Sequence, residues 1–183
     1  MIEYIGAQTH QDIKQILTLQ RQNLSTGITP EELTREGFVT VAHTYEVLWA
    51  MNQTYPHIVA KVNGQVIGYA LVMLKDFRDQ IPELIGLFAR LDKLPYQNQH
   101  LNQITYFIMG QVCVDKAFRR QGVFAGLYQQ MKKQMSQHFE LIVTSIAKRN
   151  PRSLRAHQKT GFQVIDHFKD ELDEWDIVAW NWS

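Results

Sequence analysis

A short basic turn between two apolar stretches has the residue types best suited to chemistry. The turn reads Arg119-Arg120-Gln121-Gly122. Arginine side chains present fork-shaped donors that match phosphate oxygens. Gly122 precedes a helical pattern, and a glycine there lets the backbone turn tightly and approach a ligand closely. Because the first turn of a helix favours an anion, the sequence predicts a phosphate-binding loop, with plain architecture as the alternative.

A second group of polar residues follows about 30 positions later. Asn150 stands directly before Pro151, an order typical of a helix start, and Gly161 is a typical helix stop. Ser153 and His157 are four residues apart, so they lie on one face of the predicted helix. Histidine supplies a proton donor near neutral pH. The alternative interpretation is a solvated polar face with a good cap.

The elements that flank the basic turn follow from their apolar patterns. Residues 104–114 are rich in β-branched and aromatic residues and predict a central buried strand. Cys113 lies in this strand and is predicted to pack in the core. After the turn, apolar residues at helical spacing predict an amphipathic helix that reaches Gln137. These residues are Phe124, Leu127, Tyr128, Met131 and Met135.

The other elements follow from periodicity, caps and turn residues. Strands are predicted at residues 2–6, 141–146, 162–168 and 175–182, and a hairpin at residues 57–73 around Asn63-Gly64. Helices are predicted at about residues 11–22 after Thr9, from Thr29-Pro30, at about residues 41–51, within residues 82–91 and from Asn150 to Gly161. This order predicts a mixed α/β sheet with helices on both faces.

Composition bounds the class of protein. A chain of 183 residues with 45% hydrophobic content predicts one globular domain over residues 1–183. The balance of 19 basic and 18 acidic residues argues against nucleic acid or a membrane as the main partner. One cysteine excludes a disulfide framework and a multi-cysteine metal site. We expect a cytoplasmic protein, because there is no apolar run of about 18 residues and no signal-peptide pattern.

Both polar groups resemble motifs of the GNAT superfamily of N-acyltransferases. Residues 119–124 fit five of the six positions of its pyrophosphate loop, Arg/Gln-x-x-Gly-x-Gly/Ala, and Phe124 is the departure. Residues 150–162 resemble its segment Asn-x-x-Ser/Ala-x-x-x-Tyr-x-x-x-Gly-Phe, with His157 in place of Tyr. The order and distance of the motifs agree with the family. The resemblance implies a GNAT-like, mostly antiparallel sheet of about seven strands, flanked by helices on both faces.

The resemblance also implies a function and a set of site residues. It implies an N-acetyltransferase that uses acetyl-CoA as co-substrate, without a metal, to acetylate a primary amine. His157 is implied as the catalytic residue that protonates the departing thiolate. Gln111 lies near a position where some members carry a glutamate base, but glutamine cannot accept a proton. The implied cofactor-binding residues are Val112, Cys113, Val114, Arg119, Arg120, Gln121, Gly122, Val123, Phe124, Ala125, Asn150 and Ser153.

Several alternatives stay open. The chain could bind acyl-CoA without turnover, as a sensor or regulatory module. The acceptor is a small-molecule or peptide amine, and residues 23–56 and 75–103 are expected to shape its site. Because residues 75–103 exceed a simple connection, they are predicted to form a partial lid over the acceptor side. The tryptophans at positions 175, 180 and 182 either finish the core or bury a strand of a homodimer.

Overall fold

The computed structural model describes residues 1–27 and 38–182. The helix start predicted at Thr29-Pro30 lies outside these residues. Seven strands form the main sheet: β1 (Glu3–Gly6), β2 (Ile58–Val62), β3 (Gln65–Met73), β6 (Tyr106–Val114), β7 (Leu141–Ala147), β8 (Gln163–Lys169) and β9 (Glu174–Asn181). Two short strands, β4 (Pro95–Tyr96) and β5 (Gln99–His100), form a separate hairpin that was not predicted.

Within the described residues, five α-helices surround the sheet: α1 (His10–Gln22), α2 (Tyr45–Thr54), α3 (Ile85–Leu91), α4 (Val123–Met135) and α5 (Pro151–Thr160). The strand order is β1-β2-β3-β6-β7-β9-β8. Strands β6 and β7 pair in parallel, and the other neighbours in this sheet pair antiparallel. The predicted fold class, a mostly antiparallel sheet of about seven strands with helices on both faces, is confirmed.

Each face of the sheet carries its own hydrophobic core. On one face, Ile13 and Ile16 of α1, Leu48 of α2 and the apolar residues of residues 75–104 pack together. On the other face, α4 packs Leu127 and its neighbours against the sheet. Alternation along β6 sends Ile108 to the first core and Phe107 to the second, as expected for a strand buried on both sides.

Local signals place most elements where they were predicted. Thr9 caps α1, and its hydroxyl accepts a hydrogen bond from the Asp12 backbone in a capping box. The Asn63-Gly64 turn has φ angles of 51° and 78°, the left-handed conformation that a two-residue hairpin needs. The helix predicted at residues 41–51 begins later, at Tyr45, because Thr44 provides the cap by accepting from the Val47 backbone.

Candidate functional site

The main sheet opens between its two parallel strands. β6 and β7 pair only where Tyr106–Ile108 run beside Leu141–Val143. Beyond that point β6 stays paired with β3, and β7 stays paired with β9. The β6 edge at residues 109–114 therefore has no strand partner on the β7 side within the described residues. Its backbone N–H and C=O groups face a wedge and are available to a ligand.

A β-bulge in β6 lies at the start of the wedge. Ala70 pairs with Val112, whereas Val72 pairs with Met109, so two residues of β6 oppose one residue of β3. The extra residue bends the strand and increases its twist, which turns the end of β6 away from β7. Gly110 is one of the two residues involved. A glycine inside a strand is a known bulge signal, and it could have located this feature in the sequence.

A cavity of about 810 Å³ occupies the wedge and continues between α4 and α5. All the predicted cofactor-binding residues except Gln121 line it. Gln121 is exposed and donates from its side-chain amide to the Ala117 carbonyl at 3.0 Å. The binding roles themselves stay predictions. The cavity also has lining residues that the sequence did not identify as site residues: Phe38, Val39, Phe118, Gln129, Lys132, Arg152, Arg155, Ala156, Lys159, Thr160 and Trp180.

The basic turn leaves the start of α4 open to the cavity. Gly122 occupies the N-cap position with φ 79°, and no side chain caps the helix. The first backbone N–H groups of α4 have no partner within the helix and can bind an anion. A Cβ atom on Gly122 would meet no heavy atom within 4 Å, so backbone conformation rather than space favours glycine here. Arg120 also has a positive φ, 64°.

Arg119 fixes the turn to its surroundings. Its Nε donates to the Val114 carbonyl at 3.1 Å, and its Nη2 donates to Asn23 Oδ1 at 2.8 Å. The guanidinium therefore joins the end of β6 to the end of α1. We infer that Arg119 shapes the loop as well as contributing charge.

The start of α5 is closed by Asn150. Its Oδ1 accepts from the Ser153 backbone N–H at 3.2 Å, and its Nδ2 donates to the Phe38 carbonyl at 3.2 Å. Val39 forms a parallel bridge with Leu24, next to the end of α1. Phe38 and Val39 thus form one wall of the cavity. No local sequence pattern marks these two residues, because contacts with distant parts of the chain place them.

His157 lies on the buried side of α5 and does not line the cavity. It is 1% exposed, and the rings of Phe124, Tyr128 and Phe162 surround it edge-on. A carbonyl can only accept, so Nδ1–H donates to the Ser153 carbonyl at 2.8 Å. Burial lowers the pKa of His157 to about 4, so the ring is neutral near pH 7. Its Nε2 then accepts from the Tyr128 hydroxyl at 2.6 Å.

The general-acid role of His157 stays a prediction. Within the described residues, its Nδ1 proton points toward Ser153, whose Oγ lies 3.3 Å away and whose side chain belongs to the cavity wall. Direct donation to a ligand requires the imidazole to release the Ser153 carbonyl. The sequence left the tautomer open, and the contact of Nδ1 with the Ser153 carbonyl assigns it.

Cys113 lies in the cavity wall as a buried thiol. Burial raises its pKa to about 12, so the sulfur stays protonated at neutral pH and is a poor nucleophile. Its predicted packing role is confirmed, since it is 6% exposed and belongs to the core beneath α1.

Gln111 belongs to a buried hydrogen-bond network. Its Oε1 accepts from Gln20 Nε2 at 2.9 Å and from the Tyr69 hydroxyl at 2.6 Å. Its Nε2 donates to the Val41 carbonyl at 2.8 Å, and Gln20 also bonds His43. This network accounts for the polar atoms of Gln111 and holds residues 41–43 against β6. Gln111 therefore helps to hold the wall of the cavity in place, and it cannot act as a general base.

Charge in the cavity wall has one sign. Among the described residues that line it, six side chains are basic and none is a carboxylate; the basic ones are Arg119, Arg120, Lys132, Arg152, Arg155 and Lys159. Such a wall suits a polyanion.

Over the described part of the chain, no group of three or more His, Cys, Asp or Glu residues is placed to hold a metal. None of the helices in the described residues could span a lipid bilayer.

Comparison with known proteins gives consistent results. The model of the acetyltransferase (GNAT) family matches residues 22–162. No curated protein matches the sequence. Three similar solved structures are the NatC complex bound to Gag peptide and CoA, the ribosomal-protein-S18-alanine N-acetyltransferase from Escherichia coli, and a Salmonella typhimurium protein with its cofactor acetyl-CoA.

These structures share the fold at low sequence identity. The NatC chain is 12% identical with a TM-score of 0.66, and the match covers 100% of this chain and 99% of that one. The Escherichia coli enzyme is 12% identical with a TM-score of 0.65, over 100% and 95% of the chains. The Salmonella typhimurium protein is 14% identical with a TM-score of 0.65, over 100% and 95%.

Proposed function

Because the chain belongs to the GNAT acetyltransferase family, we propose that it transfers an acetyl group from acetyl-CoA to a primary amine. The observation that carries the proposal is the wedge between β6 and β7, with a basic turn and an uncapped helix start beside it. One site thus combines unpaired strand backbone for an amide-containing arm with donors and positive charge for phosphates.

Positioning does much of the proposed work. The open edge at residues 112–114 offers backbone N–H groups that can polarise a thioester carbonyl and stabilise an oxyanion. The same edge can pair with the amides of the pantetheine arm, which holds the thioester at a fixed depth. The open start of α4 and Arg120 can bind the pyrophosphate. These residues fit acetyl-CoA as the co-substrate.

Proton transfer has two candidate routes. In the first, His157 is the general acid and protonates the departing thiolate, with Ser153 as its neighbour on the cavity side. In the second, water supplies the proton and His157 only fixes α5 against α4 through Tyr128. Gln111 cannot act as a base, so we propose that water or a group contributed by the acceptor takes the amine proton.

A non-catalytic acyl-CoA sensor is the second candidate function. One observation favours it: both polar side-chain atoms of Gln111 are hydrogen-bonded within the protein, and His157 is neutral and enclosed. Apart from its basic side chains, the described cavity wall offers only the protonated Cys113 thiol as a titratable group.

A paired experiment separates the two functions. Acetyl-CoA binding is measured by calorimetry, and coenzyme A release is measured against small amines and peptides with free N-termini. Binding together with acceptor-dependent release supports the transferase. Tight binding without release against the whole panel would support the sensor, and no binding would reject both.

We also propose an acceptor class, a location and an assembly for this protein. The acceptor is a small-molecule or peptide amine, the protein is cytoplasmic, and a homodimer is one possible assembly. Residues 75–103 pack Leu87, Phe88 and Leu91 into the core beneath α1, and Arg90 pairs with Asp166 of β8. None of these residues lines the described cavity. The lid over the acceptor side therefore stays a prediction. Such a lid would lie on the face of the sheet that packs against α1.

A further inference from the structure

Lys75 is a half-buried lysine outside the cavity, and it has no carboxylate partner. It begins the 3₁₀ turn Lys75–Gln80 after β3, and its ammonium lies 3.9 Å from the centre of the Tyr106 ring. Within the described residues, no salt bridge involves its Nζ. Half-buried Lys61, by contrast, has its Nζ 2.6 Å from Asp12 Oδ1. Lys75 therefore holds a charge partly out of water with only a ring face to offset the cost.

The hydroxyl of Tyr106 beside this ammonium has no acceptor. Tyr106 is 3% exposed at the start of β6, and among residues 1–27 and 38–182 its Oη has no hydrogen-bond partner. Burial raises the pKa of Tyr106 to about 12, so the phenol keeps its proton at neutral pH and is a donor. A buried donor without an acceptor is unfavourable. The protein therefore has an unpaired ammonium and an unsatisfied hydroxyl at one place.

The surroundings of Lys75 favour the neutral, nucleophilic form of its amine. Burial lowers the pKa of Lys75, with Asp92 acting against this shift and Arg78 adding to it. Arg78 also engages Asp92, since its Nη1 lies 2.8 Å from Asp92 Oδ2. Desolvation and a neighbouring cation are the two conditions that activate a lysine as a nucleophile. A fully exposed lysine, with a pKa of about 10.4, is almost entirely charged at neutral pH.

We propose that Lys75 is a modification site at which acetyl-CoA acetylates the protein itself. The neutral Nζ attacks the thioester carbonyl carbon, so that an N–C bond forms and the C–S bond breaks. The sulfur leaves as the thiol of coenzyme A, with a proton from the nitrogen. The product is a neutral amide, which removes the charge from the half-buried position. Its carbonyl oxygen accepts the hydrogen bond that the Tyr106 hydroxyl lacks.

This site is separate from the proposed acetyl transfer to an acceptor. Neither Lys75 nor Tyr106 lines the described cavity. The modification takes acetyl-CoA as a reagent and needs no external amine. An acetyl group on Lys75 would join the beginning of residues 75–103 to the start of β6, and would therefore hold this segment more firmly on the sheet.

The first test measures the acetylation rate of each lysine by mass spectrometry while the full chain is incubated with acetyl-CoA. Lys14, Lys93 and Lys133 are exposed and form no salt bridge within the described residues, so they are internal controls. Lys75 should react several-fold faster than these three, because its amine is neutral more often. In guanidinium chloride, which removes burial, the four rates should become alike. A Lys75 rate in the folded protein at or below that of the controls would overturn the proposal.

The second test asks whether the Tyr106 hydroxyl holds the acetyl group. Nε-acetyl-lysine is incorporated at position 75 during synthesis, in the wild-type chain and in Tyr106→Phe. One hydrogen bond predicts that acetylation changes Tm more favourably in the wild type, by about 2–4 °C, than in Tyr106→Phe. Tyr128→Phe is the matched control, since it removes a buried hydroxyl that bonds His157, and it should keep the wild-type response.

The outcomes separate this inference from the proposed function. Equal responses of Tm to acetylation in the wild type and in Tyr106→Phe would overturn the role of the Tyr106 hydroxyl. Coenzyme A release that depends on an added amine, without preferential modification of Lys75, would overturn the modification site and leave the proposed function intact. Preferential modification of Lys75 without release to any added amine would support the site and count against the transferase.

Discussion

Two helices begin at the cavity, and their first turns differ. α4 starts at Gly122, which has a left-handed backbone and no capping side chain. α5 starts at Asn150, whose side chain caps the helix and holds the Phe38 carbonyl. Helix α4 follows β6 and helix α5 follows β7, the two strands that diverge, so each helix begins beside the wedge. One helix start is left open for a ligand, and the other is closed by the protein.

We therefore expect the start of α4 to contribute to ligand binding and the start of α5 to contribute to the stability of the fold. The open donors of α4 gain a partner only when an anion arrives, so changes there should alter affinity more than stability. At the start of α5 the Ser153 N–H already has a partner in the Asn150 side chain, so changes there should alter stability and the shape of the cavity wall. His157 is a possible exception to this division, since it lies on α5, the helix with the capped start, and has a proposed catalytic role.

The largest expected effect comes from His157→Phe. If His157 is the general acid, turnover should fall by roughly 10²–10⁴-fold, while acetyl-CoA binding changes by only a few-fold. His157→Tyr should recover activity, because its hydroxyl can donate a proton. Steady-state and binding measurements on the same preparations check this. Turnover of the Phe variant within a few-fold of wild type would assign the proton to water and leave His157 a packing role.

Gly122→Val should abolish the thermal response to acetyl-CoA. At ligand about 100-fold above its dissociation constant, the wild type should gain roughly 2.7 kcal/mol. For a domain of this size that is a rise of about 5–10 °C in Tm. The valine strains the left-handed position and obstructs the open donors. Gly86→Val is the matched control, since Gly86 also has open space around it but lies in α3. A full shift in Gly122→Val would contradict ligand binding at the start of α4.

The pH dependence of stability should reveal the buried histidines. The pKa of His157 is about 4 in the folded protein, below the usual 6.5, so the unfolded chain binds more protons between these values. Its stabilising contribution is complete above pH 6.5 and falls by about 1.4 kcal/mol per pH unit as the pH drops toward 4. His57, with a folded pKa of about 3, adds a fall of the same sign. Urea unfolding at pH 7 and pH 5 should show a smaller difference for His157→Phe than for wild type; equal differences would contradict the assignment.

Asn150→Ala should have the smallest effect of the four and should act on stability. Loss of the cap predicts a decrease of about 1 kcal/mol in the free energy of unfolding. Loss of the bond to Phe38 should also loosen one cavity wall, so acetyl-CoA affinity should fall modestly. Asn150→Asp keeps the accepting oxygen and separates the two contributions. If Asn150→Ala weakens binding more than Gly122→Val does, the contrast between the helix starts is wrong.

Local chemistry made much of this molecule predictable. Thr9 and Thr44 cap helices, Asn63-Gly64 turns a hairpin, and Gly161 ends a helix, each by interactions within a few residues. A strand, a basic turn and a helix follow one another in the sequence, and this local pattern predicted that Arg120 and Gly122 would lie at the helix start. Both residues line the cavity. The boundary of α2 was misplaced because residues 41–43 look helical but bond to Gln20 and Gln111 instead.

The sequence alone determined most of the elements, their order and the two motifs, because caps, turns and periodicity act over short distances along the chain. Tertiary structure decided how far β6 and β7 diverge, which residues close the cavity and how His157 is protonated. Each depends on partners remote in sequence: Val39 on Asn23, Asn150 on Phe38, and His157 on Tyr128. Burial supplies the physical reason, since a ring enclosed by aromatic neighbours must stay neutral and share its hydrogen bonds with whatever the fold places beside it.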